Sequence, residues 1–308
     1  MRYEDVTALI EEATATQEVA VGIRAYSDGR TLPVALGVGR AGDSFRLAIF
    51  SSDPVVADQL VARAAGEADV YLIPTVSPRV TSSWAQQPHD IIGIGRQVGP
   101  VGLGWVGTGG IVVRSAEDAK VLLHVTNEHV TGERAPRGRV MHQGGRSYGV
   151  VWRTGGLSFT VSNRYDVGTV AIDRTRRVNA TYEHGIDDNL RGIRRMTPDD
   201  VGRRFTNTWQ TRGTMFGSCV AVDVRDLAVG YNGGVARFVD QAAFLGENGK
   251  PFSVGGHSGS TIVCVDDRHA VALLFAGGRD ATGRDLTFAA ADLPGAITAG
   301  GGIPELLA

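Results

Sequence analysis

From about residue 101 the chain consists of short apolar runs, each closed by glycine or a small polar cluster, recurring about every 8–12 residues. GTGGIVVRS, KVLLHVTNEHV, YGVVWRT, LSFTVSN and DVGTVAID come first. After residue 210 follow GTMFGSCVAVDV, VARFVDQAAFL, STIVCVD, HAVALLFAGG and LTFAAADL. Runs this short cannot make helices that bury a face, whereas strands of this length can. Many short strands punctuated by glycine specify a barrel or a sandwich. The runs form two clusters, which predicts a first β-barrel over 101–180, a linker over 181–205 and a second β-barrel over 206–308. In the linker, Thr197-Pro198-Asp199-Asp200 carries the signals of a short helix start.

The first 75 residues have a different texture. Val6, Leu9, Ile10 and Ala13 recur on one helical face, and EVAVGIRAY, LPVALGV, FRLAIF and DVYLIP read as strands. Asp53-Pro54 opens a helix, with aspartate as the cap and proline at the first helical position. Residues 1–75 are therefore expected as a small α+β unit, and the Pro-, Ser- and Gln-rich stretch 76–100 as a connector.

Bulk properties exclude several functions. A net charge of −2 supplies no field to draw in nucleic acid, and the arginines near 174–177 and 191–204 read as solvated surface. No apolar span approaches membrane length, and the acidic N-terminal stretch is unlike a targeting segment. Two cysteines, Cys219 and Cys264, make neither a disulfide framework nor a zinc site. The expectation is a cytoplasmic protein with reduced cysteines, no cofactor and no metal.

One glycine-rich turn, SVGGHSGSTIVC, holds Ser258. A serine nucleophile needs a base and a group to orient that base. His129 ends an apolar run at a polar turn, where it can face a cleft, while His124 lies mid-strand and reads as packed. Asp166 opens the run DVGTVAI, where a carboxylate can be shielded from water. The order His129, Asp166, Ser258 is the one found in chymotrypsin-type proteases.

TNEHV resembles the histidine motif of trypsin-like serine proteases, DVGTVAI their aspartate strand, and GGHSGS their nucleophile loop. HAVALLFAGG is similar to the strand lining their primary specificity pocket, which would place Phe275, Ala276 and Gly277 there. The resemblance spans about residues 100–295, and the N-terminal unit and LLFAGG resemble the intracellular branch typified by the plant narrow-leaf proteins. It implies a mainly β, chymotrypsin-like fold of two barrels behind the small α+β unit. The implied activity is a serine endopeptidase acting on protein or peptide substrates, with backbone N–H groups of Gly256 and Ser258 as the oxyanion hole.

Two departures shape the expectations. His257 replaces the aspartate that pairs with a newly cut N-terminus in secreted relatives, so activation of that kind is not expected. Its position beside Ser258 on a tight turn should point its ring away from the nucleophile. Phe252, six residues before Ser258, falls where the pocket base is expected, which predicts an apolar or small residue before the cut bond rather than arginine or lysine. Three alternatives stay open: a degenerate protease-fold scaffold, an esterase with the same triad, and a latent protease switched on by self-association or by a partner docking on the N-terminal unit.

Overall fold

The structure is a computed structural model and describes residues 1–15, 34–73, 76–80, 91–100, 102–179, 189–209 and 213–307. The expected strand EVAVGIRAY lies outside the described residues. The molecule is mainly β.

Six strands of the C-terminal half close into a barrel. In spatial order they are Arg204–Trp209, Thr261–Cys264, His269–Arg279, Asp285–Ala290, Gln241–Gly246 and Gly213–Arg225, and the last pairs back with the first. Its core holds Phe205, Cys219, Phe244, Ile262 and Leu274. The other half is a seven-stranded sheet ordered Gly107–Thr108, Gln97–Pro100, Val140–Gln143, Arg146–Thr154, Gly168–Ile172, Leu122–Thr126 and Val112–Arg114. On Arg146–Thr154, Tyr148 and Val151 are fully buried while Val150 is exposed; the register shift that leaves Tyr148 as an extra residue between Ser147 and Gly149 lets these two share the core although they are three apart.

The N-terminal elements form as their local signals require. The helix Tyr3–Ala15 buries Val6 and Ile10 completely. Asp53 caps Pro54–Arg63, its Oδ1 accepting from the N–H groups of Val55 (2.8 Å) and Val56 (3.4 Å). That helix crosses from Ser44–Ser51 to Ala68–Leu72, which pair in parallel. The unit is not a body apart, however. Ala35–Ala41 pairs antiparallel with Gly213–Arg225, so the N-terminal strands extend the sheet of the C-terminal barrel. Val6, Ile10, Leu36 and Val38 share one core with Phe205, Cys219 and Phe244. Among its described residues, the stretch 76–100, read as a connector, carries three short strands: Ser77–Pro78, Ile91–Gly93 and Gln97–Pro100.

The arginine-rich middle has an internal use. A 3-10 turn forms at Pro198–Asp200, and the buried Asp200 carboxylate accepts from Arg194 (2.7 and 2.8 Å), Arg203 (3.1 Å) and the Thr197 N–H (2.9 Å). Arg203 also reaches Asp266 and Asp267, so these arginines tie the middle segment to the second barrel.

His124 is fully buried in the first sheet, edge-on to Tyr148. Burial pushes its pKa down to about 4, because the imidazolium would lose its hydration. Between that value and the ordinary 6.5, the unfolded chain binds a proton that the folded chain refuses. Stability is therefore full above about pH 6.5 and falls as pH drops toward 4, by about 3 kcal/mol. Urea unfolding at neutral pH and near pH 4.5 should show this loss; equal midpoints would mean that His124 is not held neutral.

Candidate active site

His129 lies on a single helical turn, Glu128–Thr131, at the end of Leu122–Thr126. The turn is fixed from several sides. Trp105 Nε1 donates to the His129 carbonyl at 3.0 Å. The buried Glu128 carboxylate accepts from the N–H groups of Gly156 (2.7 Å), Leu157 (2.9 Å) and Arg134 (3.1 Å), fastening the turn to the loop after Arg146–Thr154.

Asp166 is buried just before Gly168–Ile172. One carboxylate oxygen accepts from His129 Nδ1 at 2.5 Å and from the Tyr231 hydroxyl at 2.7 Å. The other accepts from the His129 N–H at 3.2 Å. Burial alone would raise its pKa, but the His129 ring and these hydrogen bonds outweigh that, so the carboxyl lies below its usual range. Asp166 thus fixes the tautomer with the proton on Nδ1, leaving the lone pair on Nε2. Among the described residues, His129 Nε2 has no hydrogen-bond partner.

The Ser258 turn is stitched to both halves of the molecule. Its carbonyl accepts from the Thr108 N–H at 2.7 Å, and Thr108 Oγ1 donates to the Gly256 carbonyl at 2.6 Å. On the other side, the Gly259 N–H donates to Leu274 at 2.8 Å. Gly259 has φ +94°, and a Cβ there would lie 2.0 Å from the Thr108 carbonyl oxygen, so only glycine fits. Gly107 sits between Val130 and the Ser258 carbonyl, where a Cβ would meet them at 2.5 and 2.6 Å. The serine turn and the histidine turn are therefore neighbours. His257 points away from the nucleophile, its Nδ1 2.7 Å from Asn207 Oδ1.

The structure joins His129 to Asp166 but does not join Ser258 Oγ to His129. Oγ instead donates to the Phe275 carbonyl (2.8 Å) and accepts from the Arg79 N–H (2.8 Å). The N–H groups of Gly256 and Ser258 do converge, on the Arg79 carbonyl oxygen, at 2.6 and 3.0 Å. Gly256 reaches this orientation at φ +103°. On His269–Arg279, the Phe275 carbonyl accepts from Ser258 Oγ, and Ala276 and Gly277 pair with Pro78 and Ser77; the Phe275 ring itself is buried against Phe238, with centroids 4.7 Å apart. Phe252 does not line the cleft. Its ring is fully buried in the second-barrel core, 5.2 Å from Phe244 and nearly parallel to it. A fixed offset from the serine fails here because the chain dips into the core at Phe252 and Ser253, between the exposed turn at 248–250 and the Ser258 turn.

Three residues near the site have no motif of their own: Tyr231, Arg79 and Asp285. Tyr231 comes from the hairpin Leu227–Tyr231 and Gly234–Phe238, which lays it against His129 with ring centroids 5.7 Å apart. Asp285 lies at the start of Asp285–Ala290, paired with Arg279 at the end of His269–Arg279.

No protein-family model matches the chain, and no curated protein matches it in sequence. Solved structures do match in fold. The chain is similar to Thermobifida fusca protease A, with a TM-score of 0.50 and 17% identity over 71% of this chain and all of that one. It is equally similar to a glutamic acid-specific serine protease described as using a histidine triad in substrate binding, with a TM-score of 0.50 and 17% identity over 68% of this chain and 97% of that one. The closed C-terminal barrel and the open seven-stranded sheet that precedes it have the chymotrypsin-like two-barrel architecture of serine proteases.

Proposed function

We propose that the protein is a serine endopeptidase in which Ser258 attacks the scissile carbonyl, His129 carries the proton and Asp166 orients His129. One observation carries this reading: two backbone N–H groups, of Gly256 and Ser258, converge on a single carbonyl oxygen beside Ser258 Oγ. Such a pair stabilises the oxyanion that forms during attack, and losing one donor typically costs about 10²–10³ in turnover. The buried His129–Asp166 pair supplies the base. For attack, Ser258 Oγ must rotate from the Phe275 carbonyl toward His129 Nε2. The free, buried state of Cys219 and Cys264 fits a reducing compartment such as the cytoplasm. Among the described residues, no helix is long and apolar enough to cross a membrane.

A second reading, a scaffold on a protease fold, draws on the missing hydrogen bond between Ser258 and His129. A fluorophosphonate probe separates the two. Because Arg79 covers Ser258, the natural chain is tested beside Arg79→Glu, with His129→Ala as the control. An adduct mapped to Ser258 and lost without His129 is expected. A folded Arg79→Glu chain that takes no adduct would favour the scaffold.

Tyr231 is a positioning residue in this scheme, since it touches Asp166 and not the reacting atoms. Tyr231→Phe removes one hydrogen bond to a buried carboxylate, worth about 1.5–3 kcal/mol. The expected result is a kcat lower by about tenfold or more with little change in KM. The acid limb of the pH profile should also move upward, because a partner that lowers the Asp166 pKa is gone. An unchanged pH profile would leave Tyr231 with a packing role only.

A further inference from the structure

The cleft is occupied by the protein's own chain. Ser77 and Pro78 pair antiparallel with the pocket strand, opposite Gly277 and Ala276. Adding an extended segment to a sheet edge is how many domains hold a peptide, with the backbone supplying affinity and alternate side chains supplying choice. Gly230 donates to the Val76 carbonyl at 3.0 Å, which fixes the far end of the segment. The Arg79 N–H reaches the Phe275 carbonyl (3.2 Å) as well as Ser258 Oγ, and both oxyanion donors hold the Arg79 carbonyl. Val80 follows and packs against the first-barrel cluster that contains Val98, Val112 and Val130.

The Arg79 side chain is held too. Its guanidinium lies 3.5 Å from Asp285 Oδ1 and 3.3 Å from the Leu286 carbonyl, with both side chains of the ion pair largely buried. Gly277 leaves its path open, since a Cβ there would stand 2.1 Å from Arg79 Nε. A carboxylate at this depth is a partner that a guanidinium can pair with and an apolar side chain cannot.

We propose that the protein is its own first substrate: Ser77–Arg79 is a built-in inhibitory segment, the Arg79–Val80 bond is cut by Ser258 of the same chain, and Asp285 selects arginine before the cut. The proposal rests on Ser258 being the nucleophile. Ser258 Oγ bonds to the Arg79 carbonyl carbon, giving a tetrahedral oxyanion, while its proton passes to His129 Nε2. The adduct collapses to an ester as the Arg79–Val80 C–N bond breaks, and that proton goes to the Val80 nitrogen. Water hydrolyses the ester, leaving an Arg79 carboxylate and a Val80 amine. No pairing of the new amine with an acid beside Ser258 is involved, in keeping with His257 at that position. The expectation of an apolar residue before the cut gives way to arginine, because Phe252 is in the core and Asp285 faces the cleft.

The test follows the mass of the full chain over time at several protein concentrations, beside Ser258→Ala, Arg79→Glu and Asp285→Asn. The natural chain should yield two pieces, 1–79 and 80–308, at a rate independent of concentration, and Ser258→Ala should stay whole. Arg79→Glu places a carboxylate against Asp285 and should expel the segment. It should resist cutting at that bond and take the fluorophosphonate about tenfold faster or more, since a tethered segment acts at an effective concentration on the order of millimolar. Asp285→Asn should slow both self-cleavage and the hydrolysis of an arginyl ester by about 30-fold or more, with a leucyl ester little affected. A natural chain that stays whole overturns the proposal, as does equal cutting of Ser258→Ala or a rate that rises with concentration. Labelling of Arg79→Glu at Ser258 in such a case would leave the protease reading standing. Absence of any adduct in every chain would remove that reading as well.

Discussion

Replacing Ser258 by alanine is expected to lower peptide hydrolysis by about 10⁶-fold, and replacing His129 by alanine by about the same factor. The two losses should not multiply. Once either residue is missing, the proton has no path from nucleophile to leaving group, and the other residue contributes little. What remains should be the oxyanion donors and substrate binding, still worth about 10³–10⁴ over water. Both variants should fold, because the Ser258 turn is held by backbone bonds to Thr108 and Leu274, and the His129 turn by Glu128 and Trp105. The measurement is kcat/KM on one peptide for each single variant and for the pair, in the Arg79→Glu background so that the cleft is open. A double variant far worse than either single would mean that the two residues do not act as one unit.

The second large effect is expected at Asp166→Asn, at about 10⁴-fold in kcat. An amide oriented to donate to Tyr231 or His129 cannot accept from Nδ1–H as the carboxylate does, so the ring is free to place its proton on Nε2, where a base must have its lone pair. KM should change little. The same substitution alters acid stability in a definite sense. The folded carboxyl has a lowered pKa, so it contributes stability that is fully present above the ordinary carboxylate value and lost as pH falls through the folded one. Asp166→Asn should lack that acid-side slope, while the His124 slope between about pH 6.5 and 4 persists. Loss of both slopes at once would point to a broken sheet and not to a local change.

Different parts of the molecule were legible in the sequence to different degrees. The strands could be read because each buries a face locally, and most runs of 101–308 recur as strands; LSFTVSN does not, forming bends with a single bridge from Asn163 to Phe238, and VARF lies in a separate two-stranded hairpin. His129 and Asp166 could be paired because each sits at the end of an apolar run, where a polar group can be buried with a partner. Tyr231 could not be found this way. It stands at a hairpin tip whose place over Asp166 is set by the closing of the barrel, not by its neighbours in the chain. Arg79 lies in a stretch too short for any periodicity, and the two-residue strand before it exists only because His269–Arg279 supplies the other half of the ladder. The N-terminal unit shows the same limit on a larger scale. Periodicity marks Ala35–Ala41 as a strand but says nothing of its partner. One clue was present: its run ALGV has no polar alternation, and those residues are buried on both faces, as for a strand inside a larger sheet.

That pairing also sets the order in which the protein can be completed. Val38 lies opposite Val222, and a ribosome adds about 5–20 residues per second. The partner of the first described strand therefore emerges roughly 10–40 s after the strand itself. Through that interval Val6, Ile10 and Leu36 have none of the C-terminal side chains that cover them in the finished core. These early strands are among the last to be sheltered, and a nascent chain halted before residue 213 presents an open sheet edge to its surroundings.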